Sequence, residues 1–482
     1  MNLLPLIVVY PLILAIIFNF IYKNKYLKYF VLLVAISLLV LPFIGSYGTY
    51  YFGNHSIING LVSGIAYTFS PVKQIIIGTL MLIGTLILIA SAGEEKLNGT
   101  TTSLTLLGLA SVSAIVLSDD LFNLYVFYEI AAIAQTGLVI ASGTENAYKA
   151  GLRYMVIGTI AGSLFLFGIA LLYSITGTLN ISDMQQYFIN NPSNPVIYGG
   201  LLMLIIGLGY GSGLPPFHTV KADMYSNGKP FIGAILQTFS KFTLVAMILV
   251  FLKLFSGIGY FATTQGIVLV LSVLAMVFGV VMALLQSDYK KLLSYHAISQ
   301  GGYVAAGLAL GTPLGIIAGI FHAINHVIYK SALFLGANLV AQKKSNNLSK
   351  LGGLLPIMPV VAFMVLCAKL AISGVPPFNG FQSKVLLAQS AMAVNMPELA
   401  LIMIFVSIGT FVSMMKAFYL IFLKPCSEEQ LEEYKQMKLS KYSIFSLGIL
   451  TILCILLGIC PNLVVDYITP FAYEVGKVWT LS

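Results

Sequence analysis

The chain has 482 residues, of which 59% are hydrophobic and only 9% charged, where a soluble domain carries about 25%; this excludes a water-soluble fold and places the chain in a bilayer. The net charge of +9 would suggest nucleic acid in a soluble protein, but here the lysines lie between apolar runs, where they set membrane topology. Cys367, Cys426, Cys454 and Cys460 are scattered without a Cys-x-x-Cys pair and suggest neither a disulfide framework nor an iron–sulfur or zinc site.

A spanning helix needs about 20 apolar residues. Fourteen such stretches follow one another, at roughly 3–22, 29–47, 73–92, 103–118, 121–141, 154–176, 197–214, 230–255, 265–286, 292–310, 313–341, 357–376, 398–423 and 442–460. The first starts at Leu3 with no basic segment before it and no small-residue cleavage site after it. It reads as a spanning helix rather than a removable signal. Lys23, Lys25 and Lys28, Lys96, Lys149 and Arg153, Lys221 and Lys229, Lys290 and Lys291, Lys343, Lys344 and Lys350, and Lys424, Lys435, Lys438 and Lys441 all follow odd-numbered spans. Only Lys73, Lys253 and Lys477 lie on the opposite side. The positive-inside rule then predicts cytoplasmic odd-to-even loops, both termini outside, and a multi-pass protein of the cell (plasma) membrane.

The seventh and twelfth spans end in nearly the same words, SGLPPF at Ser212–Phe217 and SGVPPF at Ser373–Phe378. Pro215, Pro216, Pro376 and Pro377 each lack an N–H and clash with the preceding turn, so both helices must break there. Five helices separate the two copies, so they run in opposite directions through the bilayer. The predicted fold is an all-α polytopic membrane protein of about fourteen helices with two inverted five-helix repeats, helices 4–8 and 9–13. The organisation expected is 1–102, then the repeats 103–256 and 265–424, then a cytoplasmic loop, the last helix and a short tail over 425–482. Broken helices at matching places in two halves point to an ion or substrate path, because irregular backbone at membrane depth survives only when protein or a water-filled cavity covers it.

Putting a lysine or aspartate at a helix centre costs about 2.5–3.5 kcal/mol, so charges within these runs need a reason. Glu129, in SDDLFNLYVFYEIAAIA, lies about 15 Å along its helix from Asp119, near mid-bilayer, with no basic residue within a turn. Lys241, in GAILQTFSKFTLVAMI, is too deep in the eighth span to snorkel. A structural pair with Glu129 or Asp223 and proton carriage both remain open for it. His322, His326 and Lys330, in FHAINHVIYKSALFL, are spaced by four and line one stripe about 12 Å long, flanked by Asn325. His-x3-His could be half a metal site, but no acidic or cysteine ligand follows nearby; a proton wire describes the stripe better. Lys384 follows the second break, in PPFNGFQSKVLL, where an interrupted helix exposes it to a cavity. Lys416 is close enough to Lys424 to snorkel, and Lys369, two turns before the second Pro-Pro, has no assigned role.

The segments DDLFNLYVFYE, LRYMVIGTIAGSLFLFGIALLY, PPFH, QSDYKKLLSYHAISQGGY, FHAINHVIYKSALFL, LSKLGGL and SGVPPFNGFQSK resemble the antiporter-like subunits of respiratory complex I, Mrp-type sodium/proton antiporters and energy-converting hydrogenases. The likeness covers roughly 100–425. It implies a chain of buried charges running laterally through the membrane, with Glu129 as the fifth-helix glutamate and Lys241 as the central lysine. His322, His326 and Lys330 resemble the eleventh-helix set and Lys384 the exit lysine. The family usually places a lysine five residues before the proline of Pro-Phe-His, and Gly211 stands there in this chain. Lys221, Asp223 and Lys241 are the available substitutes, with His218 in the motif itself, while His296 and Lys369 stand where the family is normally neutral. The chain ends soon after the last span, without the long lateral helix of one complex I relative. A single arginine, Arg153, against many lysines leans towards an archaeal energy-converting hydrogenase or an Mrp D-type subunit.

The sequence holds no dinucleotide fingerprint, cysteine cluster or phosphate loop. No cofactor or metal is therefore expected, no catalysis by this chain alone, and electron transfer belongs to partners. The reading is a proton- or sodium-translocating membrane subunit of a redox-driven complex, whose partners are other membrane subunits and, through them, a cytoplasmic redox module. The alternatives are a non-conducting structural subunit and a stand-alone cation/proton antiporter.

Overall fold

A computed structural model describes residues 3–21, 26–53, 57–58, 61–62, 64–94, 97–255, 260–341, 346–436 and 439–480. Its helices are α1 (Leu6–Phe20), α2 (Leu27–Leu38), α3 (Pro71–Ser91), α4 (Gly99–Leu117), α5 (Leu121–Ile140), α6 (Glu145–Thr176), α7 (Ile181–Asn190), α8 (Pro195–Ser212), α9 (His218–Asn227) and α10 (Pro230–Phe255). They continue with α11 (Tyr260–Leu284), α12 (Tyr289–Ala309), α13 (Pro313–Ala341), α14 (Pro359–Ser373), α15 (Asn379–Ala393), α16 (Pro397–Phe418), α17 (Glu428–Lys435), α18 (Lys441–Ile459) and α19 (Asn462–Thr480). The exceptions to the all-helical expectation are two small antiparallel pairs, β1 (Gly48–Phe52) with β4 (Ile65–Phe69) and β2 (Ile57–Ile58) with β3 (Leu61–Val62). Threonine, tyrosine and phenylalanine in GTYYF and IAYTF favour extended backbone there.

Each of the fourteen apolar stretches lies on a helix, α7, α9, α15, α17 and α19 being additional. Ten helices among the described residues are long and apolar enough to cross a membrane: α3, α4, α5, α6, α8, α10, α11, α13, α16 and α18. The apolar helices α1, α2 and α14 are shorter, and α12 is long enough but carries Lys290, Lys291, His296 and Gln300. The expected short tail is instead α19, which packs against α3 and α13. Of the basic residues behind the predicted sidedness, Lys23, Lys25, Lys96, Lys343, Lys344 and Lys438 lie outside the described residues.

α13 is the hub, buried along its length and packed by α10, α12, α14, α15, α18 and α19. The peripheral helices α6, α11 and α16 show broad apolar faces to the outside, including Ile160, Phe167, Val270, Leu274, Phe405 and Ile408. Unbroken faces of this kind suit lipid or neighbouring subunits.

Corresponding devices recur in the two halves of the chain. Asp120 accepts from the Asn123 N–H (2.6 Å) to start α5, and Asp288 accepts from the Lys291 N–H (2.9 Å) to start α12. Asp120 forms an isolated antiparallel bridge with Asn180, and Asp288 does so with Asn347. α8 and α14 each stop at a left-handed glycine, Gly213 at φ +79° and Gly374 at φ +80°. Each is followed by a cis Pro-Pro peptide and a second half-helix, α9 or α15.

Candidate functional site

In the first half, Glu129 lies half-buried on α5, and its Oε1 finds no hydrogen-bond partner among the described residues. Gly162 of α6 faces it so closely that a Cβ there would turn the carboxylate aside. The neighbouring Tyr128 donates its hydroxyl to Gly207 O (2.8 Å) and packs edge-on against Phe165 and Tyr210. Tyr210 stacks on Tyr154 at a centroid distance of 4.5 Å. The Tyr154 hydroxyl lies 2.7 Å from the ammonium of Lys221, which also donates to Gln135 Oε1 at 3.0 Å. Ser240 Oγ stands 3.5 Å from the same Gln135 oxygen, so Gln135 joins α9 to α10 beside Lys241.

Lys241 is fully buried, and its Nζ has no hydrogen-bond partner among the described residues. It points at α12, where a Cβ on Gly301 would come within 2.6 Å of Nζ. Neither Glu129 nor Asp223 pairs with it among the described residues, which removes the structural ion pair left open for this lysine. One turn earlier, Gln237 donates to Ser331 Oγ (3.2 Å), next to Lys330 on α13.

His322, His326 and Lys330 are all fully buried on α13. His322 Nδ1 lies 2.9 Å from Ser383 Oγ and its Nε2 3.1 Å from Gln300 Oε1, which also accepts from the Tyr329 hydroxyl (3.2 Å). The ring nitrogens of His326 and the ammonium of Lys330 have no partner among the described residues. Asn325 and Asn379 exchange two bonds of 3.1 Å and fix α13 to the chain just beyond the second break. Lys384 donates to Ile372 O (2.8 Å) and sits 5.2 Å above the Tyr303 ring. That carbonyl belongs to the last turn of α14, where helix geometry leaves acceptors unpaired.

The two breaks place their lysines alike. A Cβ on Gly213 would come 2.9 Å from Lys221 Cγ, and one on Gly374 would come 2.9 Å from Lys384 Cδ. In both, the side chain that follows Pro-Pro folds back over the glycine that ends the preceding half-helix. Pro215, Pro216, Pro376 and Pro377 thus turn one buried lysine per half towards the interior.

Other residues singled out in the sequence stand apart. Asp223 is half-exposed and pairs with Arg153 (3.4 Å) in a polar pocket with Lys149, Lys229, Asp288 and Lys290. His218 packs edge-on against Phe278 of α11. His296 and Lys369 are fully buried between α12, α14 and α16, His296 Nε2 bonding Ser413 Oγ. At Gly211 the Tyr128 ring takes the space, 2.5 Å from where a Cβ would stand. Gln135, Tyr154, Gln300, Tyr303 and Ser383 join the row although no charge or repeat singles them out in the sequence. The amides in AAIAQTGL and AISQGGY, polar residues inside apolar runs, are their one readable signal.

Residues 118–412 match the family model described as NADH:quinone oxidoreductase/Mrp antiporter, TM. An uncharacterized protein of Methanocaldococcus jannaschii is 64% identical over 100% of both chains. A subunit of the Na(+)/H(+) antiporter of Alkalihalophilus pseudofirmus is 33% identical over 74% of this chain and 72% of its own. Among solved structures, a chain of the membrane-bound sulfane sulfur reductase, an archaeal respiratory membrane complex, superposes with a TM-score of 0.89 at 25% identity over 99% of this chain and 98% of that one.

Proposed function

This chain belongs to the NADH:quinone oxidoreductase/Mrp antiporter family of membrane subunits, and on that premise we propose that it moves protons, or sodium ions in exchange for them, as one membrane subunit of a larger redox-driven complex. The observation that carries this reading is the row of buried polar groups from Glu129 through Tyr154, Lys221, Gln135, Ser240, Lys241, Lys330, His326 and His322 to Ser383 and Lys384. Several members are ionisable yet lack a hydrogen-bond partner among the described residues. Groups left so in a low-dielectric interior are costly unless water or a transferable proton completes them, and intramembrane ionisable residues of this kind mark ion and proton paths.

In this reading the chain crosses the plasma membrane fourteen times, with both termini outside and the odd-to-even loops in the cytoplasm. The repeats 103–256 and 265–424 are inverted copies, which the paired Asp starts, Asn bridges and Gly–Pro-Pro breaks support. A charge change in a neighbouring subunit acts first on Glu129, at one end of the row. The proton then passes along α10 and α13 to Lys384, at the other. Redox chemistry resides in a cytoplasmic module reached through neighbouring membrane subunits. Likeness to the sulfane sulfur reductase complex favours an archaeal respiratory assembly, and a hydrogenase is the form of it towards which the sequence leans.

The test is Lys384→Ala in the complete complex, purified through a tag on another subunit and reconstituted into liposomes. Redox turnover should lose its coupled ion translocation while subunit composition stays normal. Wild-type translocation in that variant would refute the assignment of Lys384 and, with it, the far end of the row.

A further inference from the structure

Besides the row, the structure contains a second set of buried polar groups along one face of α12. Tyr289, His296 and Tyr303 recur every seven residues, about 10 Å apart with a drift of about 20° each time. Tyr289 opens α12, beside Asp288 and Lys290, which line a polar cavity of about 740 Å³. Lys369 of α14 lies between the first two. Its ammonium is 4.8 Å from the Tyr289 ring and 3.3 Å from Met414 O, and the adjacent Ser413 holds His296 Nε2. One turn beyond His296, Gln300 accepts from Tyr329 and bonds His322 Nε2, a member of the row itself.

We infer that Tyr289, Lys369 and His296 form a second proton inlet, running from the polar cavity at the start of α12 to His322 over water held beside Gln300, whose amide orients the path and carries no proton itself. The inference rests on the conduction reading above and adds to it a branch that joins in the second half of the chain.

Three unmet valences separate this set from an ordinary structural network. The Tyr289 hydroxyl and His296 Nδ1 are buried without hydrogen-bond partners among the described residues. Lys369, fully buried, places one of its three N–H donors on a carbonyl and has no carboxylate partner among the described residues. A lysine kept for packing alone would leave these costs standing, since buried polar groups are almost always paired with protein or ordered water. Water between Tyr289, Lys369 and His296 satisfies all three at once and makes the set a relay. His296 then takes the proton on its unbonded Nδ1 and hands it back to the water chain that leads past Gln300. Ser413 fixes the ring for that exchange. Tyr289 closes the cavity end, since its neighbours face the pocket while its own ring is buried.

The experiment uses the complete complex in liposomes, with ion translocation measured per redox turnover. His296→Gln retains an amide that can bond Ser413 but cannot exchange protons, and Lys369→Gln retains polarity without the charge. With two inlets feeding one row, either variant should lower translocation to about half, with subunit composition and thermal stability unchanged. A merely structural histidine would be replaced by glutamine without loss. Lys241→Met is run alongside. Wild-type translocation in both glutamine variants, with Lys241→Met inactive, overturns the second inlet and leaves the main row standing. Wild-type translocation in Lys241→Met as well removes the conduction reading itself. Should either glutamine variant fail to assemble, Tyr289→Phe deletes a single hydroxyl, and an undiminished rate there overturns the inlet.

Discussion

Lys241→Met asks one residue to separate conduction from architecture, because the two demand opposite changes. The lysine is fully buried, and its ammonium has no hydrogen-bond partner among the described residues. A lysine at a helix centre carries about 2.5–3.5 kcal/mol of unfavourable insertion free energy. Methionine is unbranched, apolar and adaptable. It also ends one atom short of the lysine nitrogen, so it fits in the room that Gly301 leaves by lacking a Cβ. The surrounding polar atoms do not depend on the ammonium: Gln237 bonds Ser331, and Ser240 bonds its own helix at Leu236 O. Removing the charge should therefore stabilise the subunit by about 1–3 kcal/mol while coupled ion translocation falls to about half, the share left to the inlet that joins at His322. The assay pairs the two readings on one preparation, heat-induced loss of monodisperse complex in detergent and ion uptake per turnover in liposomes. A variant that melts earlier than the parent and translocates at the parental rate would show Lys241 to be a structural post, and the reasoning from its unmet valence would fail.

Gly211→Lys restores the residue type the family usually carries, but its Cβ would stand 2.5 Å from the Tyr128 ring, itself packed on Phe165 and Tyr210. Overpacking should destabilise by about 1–3 kcal/mol, read as less folded protein in the membrane; wild-type abundance would show that the Tyr128 ring yields. Gln135→Leu takes the amide oxygen from Lys221 and leaves it the Tyr154 hydroxyl alone. One unmet bond to a buried cation should lower stability by about 1–3 kcal/mol, and an unchanged melting temperature would mean that Gln135 is not the link between α9 and α10.

The features legible in the sequence are those a single helix determines by itself. Pro-Pro after glycine ends a helix wherever it occurs, so both breaks can be placed to the residue. His322, His326 and Lys330 share a face because a spacing of four nearly completes a turn, and Lys241 is deep because too many apolar residues flank it on either side. Partnership is set by how neighbouring helices are rotated against one another, and hydropathy does not carry that information. Asp223 is a candidate in the sequence as a partner for Lys241 or a substitute for the lysine absent at Gly211, and instead it pairs with Arg153 across the chain. Gln135 and Gln300 are neutral and inconspicuous among the charges, yet each bridges two elements. The β1–β4 pair and α19 escape for a different reason: each mixes polar with apolar residues, so neither appears as an apolar run.

Gly211 leaves α8 without a lysine before the first break, and the geometry there shows where this half's buried lysine comes from instead. A lysine before the break would approach from α8, where Tyr128 already fills the space. Lys221 approaches from α9, beyond Pro216, and its stem crosses Gly213, where any Cβ would obstruct it at 2.9 Å. Its ammonium then sits on Tyr154 and Gln135, both buried. Lys384 makes the same crossing over Gly374 in the second half. A left-handed glycine followed by Pro-Pro therefore does two things at each site: it stops one half-helix, and it leaves a groove without a Cβ through which the next half-helix returns a cation to the interior. The first half thus holds a buried lysine as the second does, brought in from beyond its break.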